Sequence, residues 1–150
     1  MPLINNINHL TFITGDMDRL IDFYKRIFDA NVTLDLTEGP VRHVFIEVGD
    51  QTVLHPFQLP DTNPPGFLPM FQRGRLDHFA LNATSEEAFR EIYRRIVAEG
   101  SLDGVVIDMG LLLLFSFKDP DDAVQEVVWW KPAGSQKGAL RENWKYIKDY

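Results

Sequence analysis

Asn8-His9-Leu10-Thr11-Phe12 decides the fold of this chain, because a matching stretch, Asp77-His78-Phe79-Ala80-Leu81, returns 69 residues later. Each stretch leads into nearly the same four residues, Tyr24-Lys25-Arg26-Ile27 in the first copy and Tyr93-Arg94-Arg95-Ile96 in the second. The tyrosines keep the same offset of 69 residues as the histidines. A strand with a polar His, followed at fixed spacing by the same helix, indicates one supersecondary unit that is used twice.

The first copy has the pattern of a βαβββ module. Alternating apolar residues over 7–13 predict a strand, and Asp16 is a suitable N-cap for a helix that runs through about Phe28. Turn residues then separate three further segments with strand-like composition. We predict these strands over residues 32–36, 41–48 and 52–57.

The second copy repeats this order after a proline-rich linker at 58–74. Its first strand is predicted over residues 76–81. Thr84 and Glu87 have the spacing of a capping box for a helix that runs to about Glu99. Three strands complete the module, over residues 105–107, 111–117 and 124–130.

We therefore predict one domain over residues 1–150, with module 1 at about 5–57, the linker at 58–74, module 2 at about 75–131 and a tail at 132–150. In the tail, Leu140, Trp144 and Ile147 recur at helical spacing, which predicts an amphipathic C-terminal helix. Because an exposed Trp on a free tail is unfavourable, we expect this helix to pack on this chain or on a partner chain.

The composition argues against several classes of protein. A net charge of −7 without a Lys/Arg-rich run argues against a nucleic-acid surface. No stretch approaches the roughly 18 consecutive apolar residues that a membrane span needs. The N-terminal residues lack the pattern of a secretory signal, so a cytoplasmic location is expected. Because the chain has no Cys, any metal ion must use His and carboxylate ligands.

Four polar residues fall at positions that the repeat makes comparable. His9 and His78 lie on the first strand of each module, and His55 and Glu126, 71 residues apart, lie on the last strand. Each shares its strand face with apolar residues, where a lone carboxylate is costly without a cation or a donor. Neutral imidazoles and a carboxylate that converge from separate strands are suitable ligands for a divalent metal ion.

Taken alone, each of these residues has a plainer interpretation. A single His on an apolar strand face is more often a core imidazole bonded to a backbone group, and a single strand Glu is more often an exposed edge residue. The paired offsets favour the metal site. His43 has no counterpart in the second module and is interpreted as a structural or pocket-wall residue, while Glu47 is a candidate base. The candidate substrate-pocket residues are aromatic: Phe45, Phe57, Phe115 and Trp130.

The chain resembles the vicinal oxygen chelate superfamily, which includes glyoxalase I, methylmalonyl-CoA epimerase, fosfomycin-resistance proteins and extradiol dioxygenases. The resemblance rests on Asn8-His9-Leu10, Asp22-Phe23-Tyr24, Leu76-Asp77-His78-Phe79 and the segment from Asp119 to Glu126. It implies an α+β fold in which two tandem βαβββ modules form a curved mixed sheet around a cleft. The metal ligands that it implies are His9, His78 and Glu126, with His55 at the fourth position.

Two departures from the family pattern concern the site. Asp122 stands where the family has a turn glycine, and Asp adopts left-handed conformations more easily than most residues. His55 stands where glyoxalase I-like members carry Glu and epimerase-like members carry Gln. The resemblance therefore implies the superfamily's chemistry without implying the specific glyoxalase I reaction.

The number of protein ligands ranks the possible reactions. Four ligands leave two positions of an octahedral ion, which suits a substrate chelated through vicinal oxygens and isomerase, epimerase or lyase chemistry through a metal-stabilised enolate. If His55 is an acid/base instead, then His9, His78 and Glu126 form the triad of an Fe(II)-dependent extradiol-type dioxygenase. Non-catalytic binding of a small molecule, as in resistance proteins, is a third alternative. The candidate catalytic residues are His55, Glu126 and Glu47.

The expected cofactor is a divalent ion, Fe, Ni, Mn, Co or Zn. The expected partners are a small-molecule substrate and, by the resemblance, a second copy in a homodimer, and the cleft is built within one chain or across two. Arg42 or Arg73 is a candidate contact for an anionic substrate.

Overall fold

One helix lies against a mixed β-sheet in each copy of the repeat, as the sequence predicts. The structure is a computed structural model that describes residues 7–62, 64, 66–69, 71–72, 76, 78–102, 104–132, 143–148 and 150. The chain divides into two compact units, Met1–Gly66 (the first unit) and Phe67–Tyr150 (the second unit). The arrangement of both units as one domain stays a prediction.

The first unit has the predicted βαβββ order. Its β1 is parallel to β4, and β4, β3 and β2 follow as antiparallel neighbours in the order β1-β4-β3-β2. The elements are β1 (His9–Ile13), α1 (Met17–Phe28), β2 (Asn31–Glu38), β3 (Val41–Gly49) and β4 (Thr52–Gln58).

Helix α1 begins and ends where its sequence predicts. The Asp16 side chain accepts the Arg19 N–H at 3.0 Å, and Asp29 ends the helix in the left-handed conformation, with φ of 54°. The apolar stripe of α1 packs on β3 and β4, and burial of each aliphatic side chain stabilises the unit by about 1.5–3 kcal/mol. The buried residues of this layer include Leu20, Phe23, Tyr24, Ile27, Val44, Ile46 and Leu54.

The second unit repeats the order and adds a strand. Its sheet has the order β5-β8-β7-β6-β9, with β5 parallel to β8 and all other pairs antiparallel. The elements are β5 (Ala80–Asn82), α2 (Glu86–Glu99), β6 (Val105–Asp108), β7 (Leu112–Lys118), β8 (Val124–Trp130) and β9 (Lys145–Lys148).

The turn between β7 and β8 positions the start of β8. One Asp119 carboxylate oxygen accepts the N–H groups of Asp121 and Ala123, both at 2.9 Å. Asp122 takes the left-handed conformation that its place in the turn requires, with φ of 61°. Because the turn is closed by these bonds, β8 begins at Val124 and the position of Glu126 on the strand is set.

The helix predicted for the C-terminal tail is wrong over the described residues. Lys145–Lys148 form β9, which pairs antiparallel with β6, whereas Leu140 lies outside the described residues. A short segment gains little from helical periodicity, while the unpaired N–H and C=O groups at a sheet edge offer it a full ladder. The described residues of the tail contact this chain through β9 and through Tyr150, whose ring lies 5.7 Å from those of Phe89 and Tyr93.

Two predicted boundaries in the second unit also need correction. The N-cap of α2 is Ser85 and not Thr84, since the Ser85 side chain accepts the Ala88 N–H at 3.1 Å. Strand β5 begins at Ala80, because the Phe79 N–H goes to the side chain of Gln125 at 2.9 Å instead of to a backbone carbonyl. His78 therefore lies just before β5.

Among the described residues, no helix is long and apolar enough to cross a membrane.

Replacing Ser85 by Ala is expected to lower the free energy of unfolding by about 1 kcal/mol, because the Ala88 N–H loses its acceptor. Thr84→Ala is the matched control and is expected to stay within about 0.5 kcal/mol of wild type. Urea unfolding followed by circular dichroism measures both variants. A larger loss for Thr84→Ala than for Ser85→Ala contradicts the assignment of the cap.

Candidate metal centre

Three of the four histidines lie on the face of the first unit's sheet that α1 does not cover. Val44, Ile46 and Leu54 are fully buried on the helix side, and side chains alternate across a strand. The pairing of β1 with β4 places Thr11 beside His55, and the pairing of β3 with β4 places His43 opposite Phe57. The opposite face therefore carries His9, His43, Phe45, His55 and Phe57.

His55 lies at the centre of this group. Its Nε2 is 3.1 Å from Nδ1 of His43, and its ring centroid is 5.3 Å from that of His9. The Phe45 ring meets it edge-on at 4.4 Å, and the Phe57 ring lies at 4.5 Å. His55 thus has two imidazole neighbours in a mainly aromatic environment.

The second ring nitrogen of His55, Nδ1, is buried and has no hydrogen-bond partner among the described residues. Burial, reinforced by the nearby His43 and His9, holds the pKa of His55 below its ordinary value of 6.5. His55 is therefore neutral at pH 7. A buried nitrogen without a hydrogen bond costs free energy unless a cation or a donor satisfies it.

His9 also has one ring nitrogen fixed by a neighbour. Its Nδ1 lies 2.8 Å from Oδ1 of Asn8, and an amide oxygen can only accept a hydrogen bond. Nδ1 of His9 is therefore the donor, so a ring that carries a single proton has its lone pair on Nε2. An imidazole whose outer N–H is fixed in this way is the usual form of a metal-binding His.

In the second unit, His78 lies beside Glu126. The distance from His78 Nε2 to a carboxylate oxygen of Glu126 is 3.7 Å, and the Glu126 side chain is only 16% exposed. Glu126 is paired with Ala80 on one side and with Ser116 on the other. Both members of this predicted pair are thus brought together within their own unit.

The chemistry and spacing of these pairs fit a divalent ion. Two ligand atoms that are each about 2.0–2.2 Å from one ion lie roughly 3–3.7 Å apart, which matches the separation of His78 and Glu126. Two imidazoles on one ion have ring centroids roughly 4.5–5.5 Å apart, which matches His9 and His55. Within either unit, the described residues hold no group of three His, Asp or Glu side chains that could bind a metal ion. The four-ligand set stays a prediction.

The remaining candidate residues differ in burial and in position. Phe115 is not a pocket residue, because it is fully buried in the second unit against Phe89, at 5.0 Å between ring centroids. Glu47 is exposed and lies beside residues at the end of α1. Trp130 is 60% exposed at the end of β8, on the same sheet face as Glu126. 

The two candidate arginines do not strengthen the site. Arg42 is held by ion pairs with Asp18 at 2.7 Å and Asp35 at 2.8 Å, and the bond from Arg42 lowers the pKa of Asp35. A guanidinium bound to two carboxylates is not available to an anionic substrate. Arg73 lies outside the described residues.

His43 is the functional candidate whose role the sequence did not reveal. The predicted hairpin of β3 and β4 already indicated that His43 lies near His55. Antiparallel pairing across its short turn places His43 opposite Phe57, which is two residues from His55 on the same strand face. The absence of a counterpart in the second module led to the weaker interpretation.

Comparison with known proteins gives a family and a fold. The sequence model of the Glyoxalase/Bleomycin resistance protein/Dioxygenase superfamily matches residues 6–127. No curated protein matches the chain significantly. A glyoxylase/bleomycin resistance protein/dioxygenase domain from Frankia sp. EAN1pec has a TM-score of 0.74 at 14% identity, with 85% of this chain and 99% of that one covered.

Two fosfomycin resistance proteins have similar structures. FosX from Mesorhizobium loti has a TM-score of 0.60 at 21% identity, with 83% of this chain and 91% of that one covered. A mutant of FosX from Listeria monocytogenes, complexed with Mn(II) and 1S,2S-dihydroxypropylphosphonic acid, has a TM-score of 0.64 at 18% identity. That comparison covers 93% of this chain and the whole of the FosX chain. At these identities the likeness shows the fold.

Acidification is expected to destabilise the metal-free protein through His55. Above the ordinary value of 6.5 the side chain is neutral in both states, and below it the unfolded chain takes up a proton that the folded chain resists. The free energy of unfolding therefore falls with decreasing pH until the lowered pKa is passed, by at most about 1.4 kcal/mol per pH unit.

Urea unfolding with a chelator present, between mildly alkaline and mildly acidic pH, measures this dependence. His55→Gln removes the titrating group while His9 and His43 remain, so its profile should be flatter than that of wild type in this window. Parallel profiles for the two proteins contradict a lowered pKa at His55.

Proposed function

Because this chain belongs to the Glyoxalase/Bleomycin resistance protein/Dioxygenase superfamily, we propose that it is a divalent-metal-dependent enzyme. Its substrate is a small molecule chelated through vicinal oxygens, and its chemistry is of the isomerase, epimerase or lyase type. The observation that carries the proposal is the neutral imidazole of His55. Its buried Nδ1 has no hydrogen-bond partner among the described residues, and its ring centroid lies 5.3 Å from that of a second imidazole, His9.

The proposed ligands are one atom from each of four side chains. His9 offers Nε2, because its Nδ1 is fixed by Asn8, and His55 offers Nδ1, because its Nε2 is occupied by His43. His78 and Glu126 contribute the second pair. Neutral imidazole and carboxylate together suit ions such as Mn(II), Fe(II), Ni(II), Co(II) and Zn(II).

A divalent ion at these ligands would supply a Lewis acid that polarises a substrate oxygen. The chain's own residues contribute the surroundings. Phe45 and Phe57 line two sides of His55 and exclude water from it, which strengthens electrostatic interactions with a bound substrate. Because His55 is neutral, it adds no positive charge that would compete with the metal ion for the substrate's oxygens.

Proton transfer requires a carboxylate or imidazole near the substrate. Of the candidate bases, Glu126 is partly buried and lies beside His78, whereas Glu47 is exposed to water. We therefore propose that Glu126 has two roles. One carboxylate oxygen is a ligand, and the other takes a proton from the carbon next to a substrate carbonyl and returns it to a neighbouring atom. Trp130, on the same sheet face as Glu126, is the proposed aromatic contact for the substrate.

Isomerase or lyase chemistry is preferred over oxygenation because four protein ligands leave room for a chelating substrate alone. The FosX complex supports a metal ion that meets vicinal oxygens, since its ligand is a vicinal diol that accompanies Mn(II) on the same fold, and this holds for either reaction class. If His55 is a proton carrier instead of a ligand, the remaining His9, His78 and Glu126 form a 2-His-1-carboxylate set and the reaction is an extradiol-type ring cleavage.

Titration with Mn(II) is the first test. Wild-type protein freed of metal by chelation is expected to bind one Mn(II) per chain and to melt at a higher temperature with the ion present. His9→Ala and Glu126→Gln should each weaken binding by more than the roughly 10–100-fold that outer-shell changes cost. Glu99→Gln, on an exposed residue at the end of α2, is the charge-matched control and should bind as wild type does.

Isothermal titration calorimetry and thermal melting measure both effects. Wild-type protein that binds none of Mn(II), Fe(II), Ni(II), Co(II) or Zn(II) removes the enzyme proposal and leaves non-catalytic binding of a small molecule. Equal affinities for wild type, His9→Ala and Glu126→Gln show that the ion binds elsewhere.

The reaction class is tested with the metal-loaded protein. NMR in D2O should detect exchange of the proton next to the carbonyl in small 2-oxo or 2-hydroxy carbonyl compounds. Glu126→Gln should abolish this exchange even at Mn(II) concentrations that saturate the variant. The control is wild-type protein treated with chelator. Oxygen uptake with Fe(II) and catechols, in the absence of proton exchange, assigns the dioxygenase instead.

A further inference from the structure

The hydrogen bond between His43 and His55 determines which nitrogen of His55 is available. The atoms in contact are Nδ1 of His43 and Nε2 of His55, at 3.1 Å, and a neutral imidazole has one N–H donor and one acceptor. One ring must therefore donate and the other accept. The two alternatives differ in which outer nitrogen carries a proton. It is Nδ1 of His55 when His43 donates, and Nε2 of His43 when His55 donates.

In the first alternative, His43 donates. His55 then carries its proton on Nδ1, where a buried N–H has no acceptor among the described residues. Nε2 of His43 then presents a lone pair toward the Glu38 carboxylate, 4.0 Å away. An unsatisfied buried donor and two facing acceptors both cost free energy.

In the second alternative, His55 donates its Nε2–H to Nδ1 of His43. The proton of His43 is then on Nε2, directed at the Glu38 carboxylate, which attracts it. Nδ1 of His55 carries only a lone pair. This arrangement removes the two facing acceptors. It also replaces a buried N–H at Nδ1 of His55, which no cation can satisfy, by a buried lone pair, which a cation can satisfy.

We propose that His43 is a positioning residue that accepts the Nε2–H of His55 and thereby presents Nδ1 of His55 as the binding nitrogen. The inference rests on the proposed function only for the identity of the bound group, a divalent cation. Glu38, His43 and His55 then form a carboxylate–imidazole–imidazole series. The Glu38 carboxylate attracts the Nε2–H of His43 across 4.0 Å, and Nδ1 of His43 accepts the Nε2–H of His55.

Packing holds His43 in the orientation that this role needs. Its ring stacks on that of Phe57, with centroids 5.1 Å apart and an interplanar angle of 9°. Its side chain is only 15% exposed, whereas the Glu38 side chain is 77% exposed. Because Glu38 is exposed and 4.0 Å away, its removal should have a smaller effect than removal of His43.

Two substitutions of His43 separate the hydrogen bond from packing. His43→Phe keeps a flat ring on Phe57 and removes the acceptor. His43→Asn shortens the side chain but can place an amide oxygen near the position of Nδ1, so it retains an acceptor for His55. If His43 only packs against Phe57, His43→Phe should be the milder change. If His43 positions His55, His43→Asn should be the milder change.

The first measurement needs no metal. Long-range proton–nitrogen correlation NMR of nitrogen-15-labelled metal-free protein, at mildly alkaline pH, reports which nitrogen of each neutral imidazole carries the proton. The chain has four histidines, so His55→Gln assigns the signals of His55. The expected wild-type result is a protected proton on Nε2 of His55, which persists in His43→Asn and exchanges rapidly in His43→Phe. A wild-type proton on Nδ1 of His55 overturns the proposal.

The second measurement is Mn(II) affinity by calorimetry. His43→Phe should bind Mn(II) roughly 10–100-fold more weakly than wild type, and His43→Asn should recover most of that loss. Equal weakening in both variants, or none in His43→Phe, contradicts the positioning role. If wild type itself binds no metal, the proposed function fails, while the NMR result still decides whether His43 fixes the proton of His55.

Discussion

Alternation of side chains along a strand is the constraint on which both units depend. Each sheet gives one face to its helix, which buries Val44, Ile46 and Leu54 in the first unit and Phe115 in the second. A polar side chain one residue away on the same strand must point to the other face. His55 follows Leu54, and Glu126 precedes the fully buried Val127, so the helical core itself sets which face carries the candidate ligands.

This constraint explains how much the sequence could predict. The repeated His and Tyr positions predicted both βαβββ orders, and the strand phase predicted the faces of His9, His55 and Glu126 because both depend on local periodicity. The tail was misjudged because β9 is held by the edge of β6, a partner that local periodicity does not reveal. The contact between His43 and His55 likewise depends on the pairing of two strands and on rotamers, which no single-strand pattern contains.

The aromatic surroundings of His55 connect packing to electrostatics. Phe45 and Phe57 supply apolar contacts, and the same contacts remove water that would solvate a charged imidazole. The ring is thereby kept neutral, which is the form that can bind a metal ion or accept a proton. Burial has a cost, since the polar edge of the ring must be satisfied from within the protein. His43 meets that requirement for one nitrogen and leaves the other without a hydrogen bond from the described residues.

The candidate ligands have different neighbours in the two units, although both units have the same βαβββ order. In the first unit the candidate ligands are two imidazoles, and each has a neighbour in contact with one ring nitrogen, Asn8 for His9 and His43 for His55. In the second unit His78 lies beside a carboxylate, Glu126. The proposed ligand set thus carries a single negative charge when its three imidazoles are neutral, and a divalent ion bound by it keeps a net positive charge. Substrate oxygens that bear or develop negative charge are favoured at such an ion, as enolate-forming chemistry requires. Under the proposed function, a second carboxylate in place of His55 would cancel that charge and weaken the preference for such oxygens.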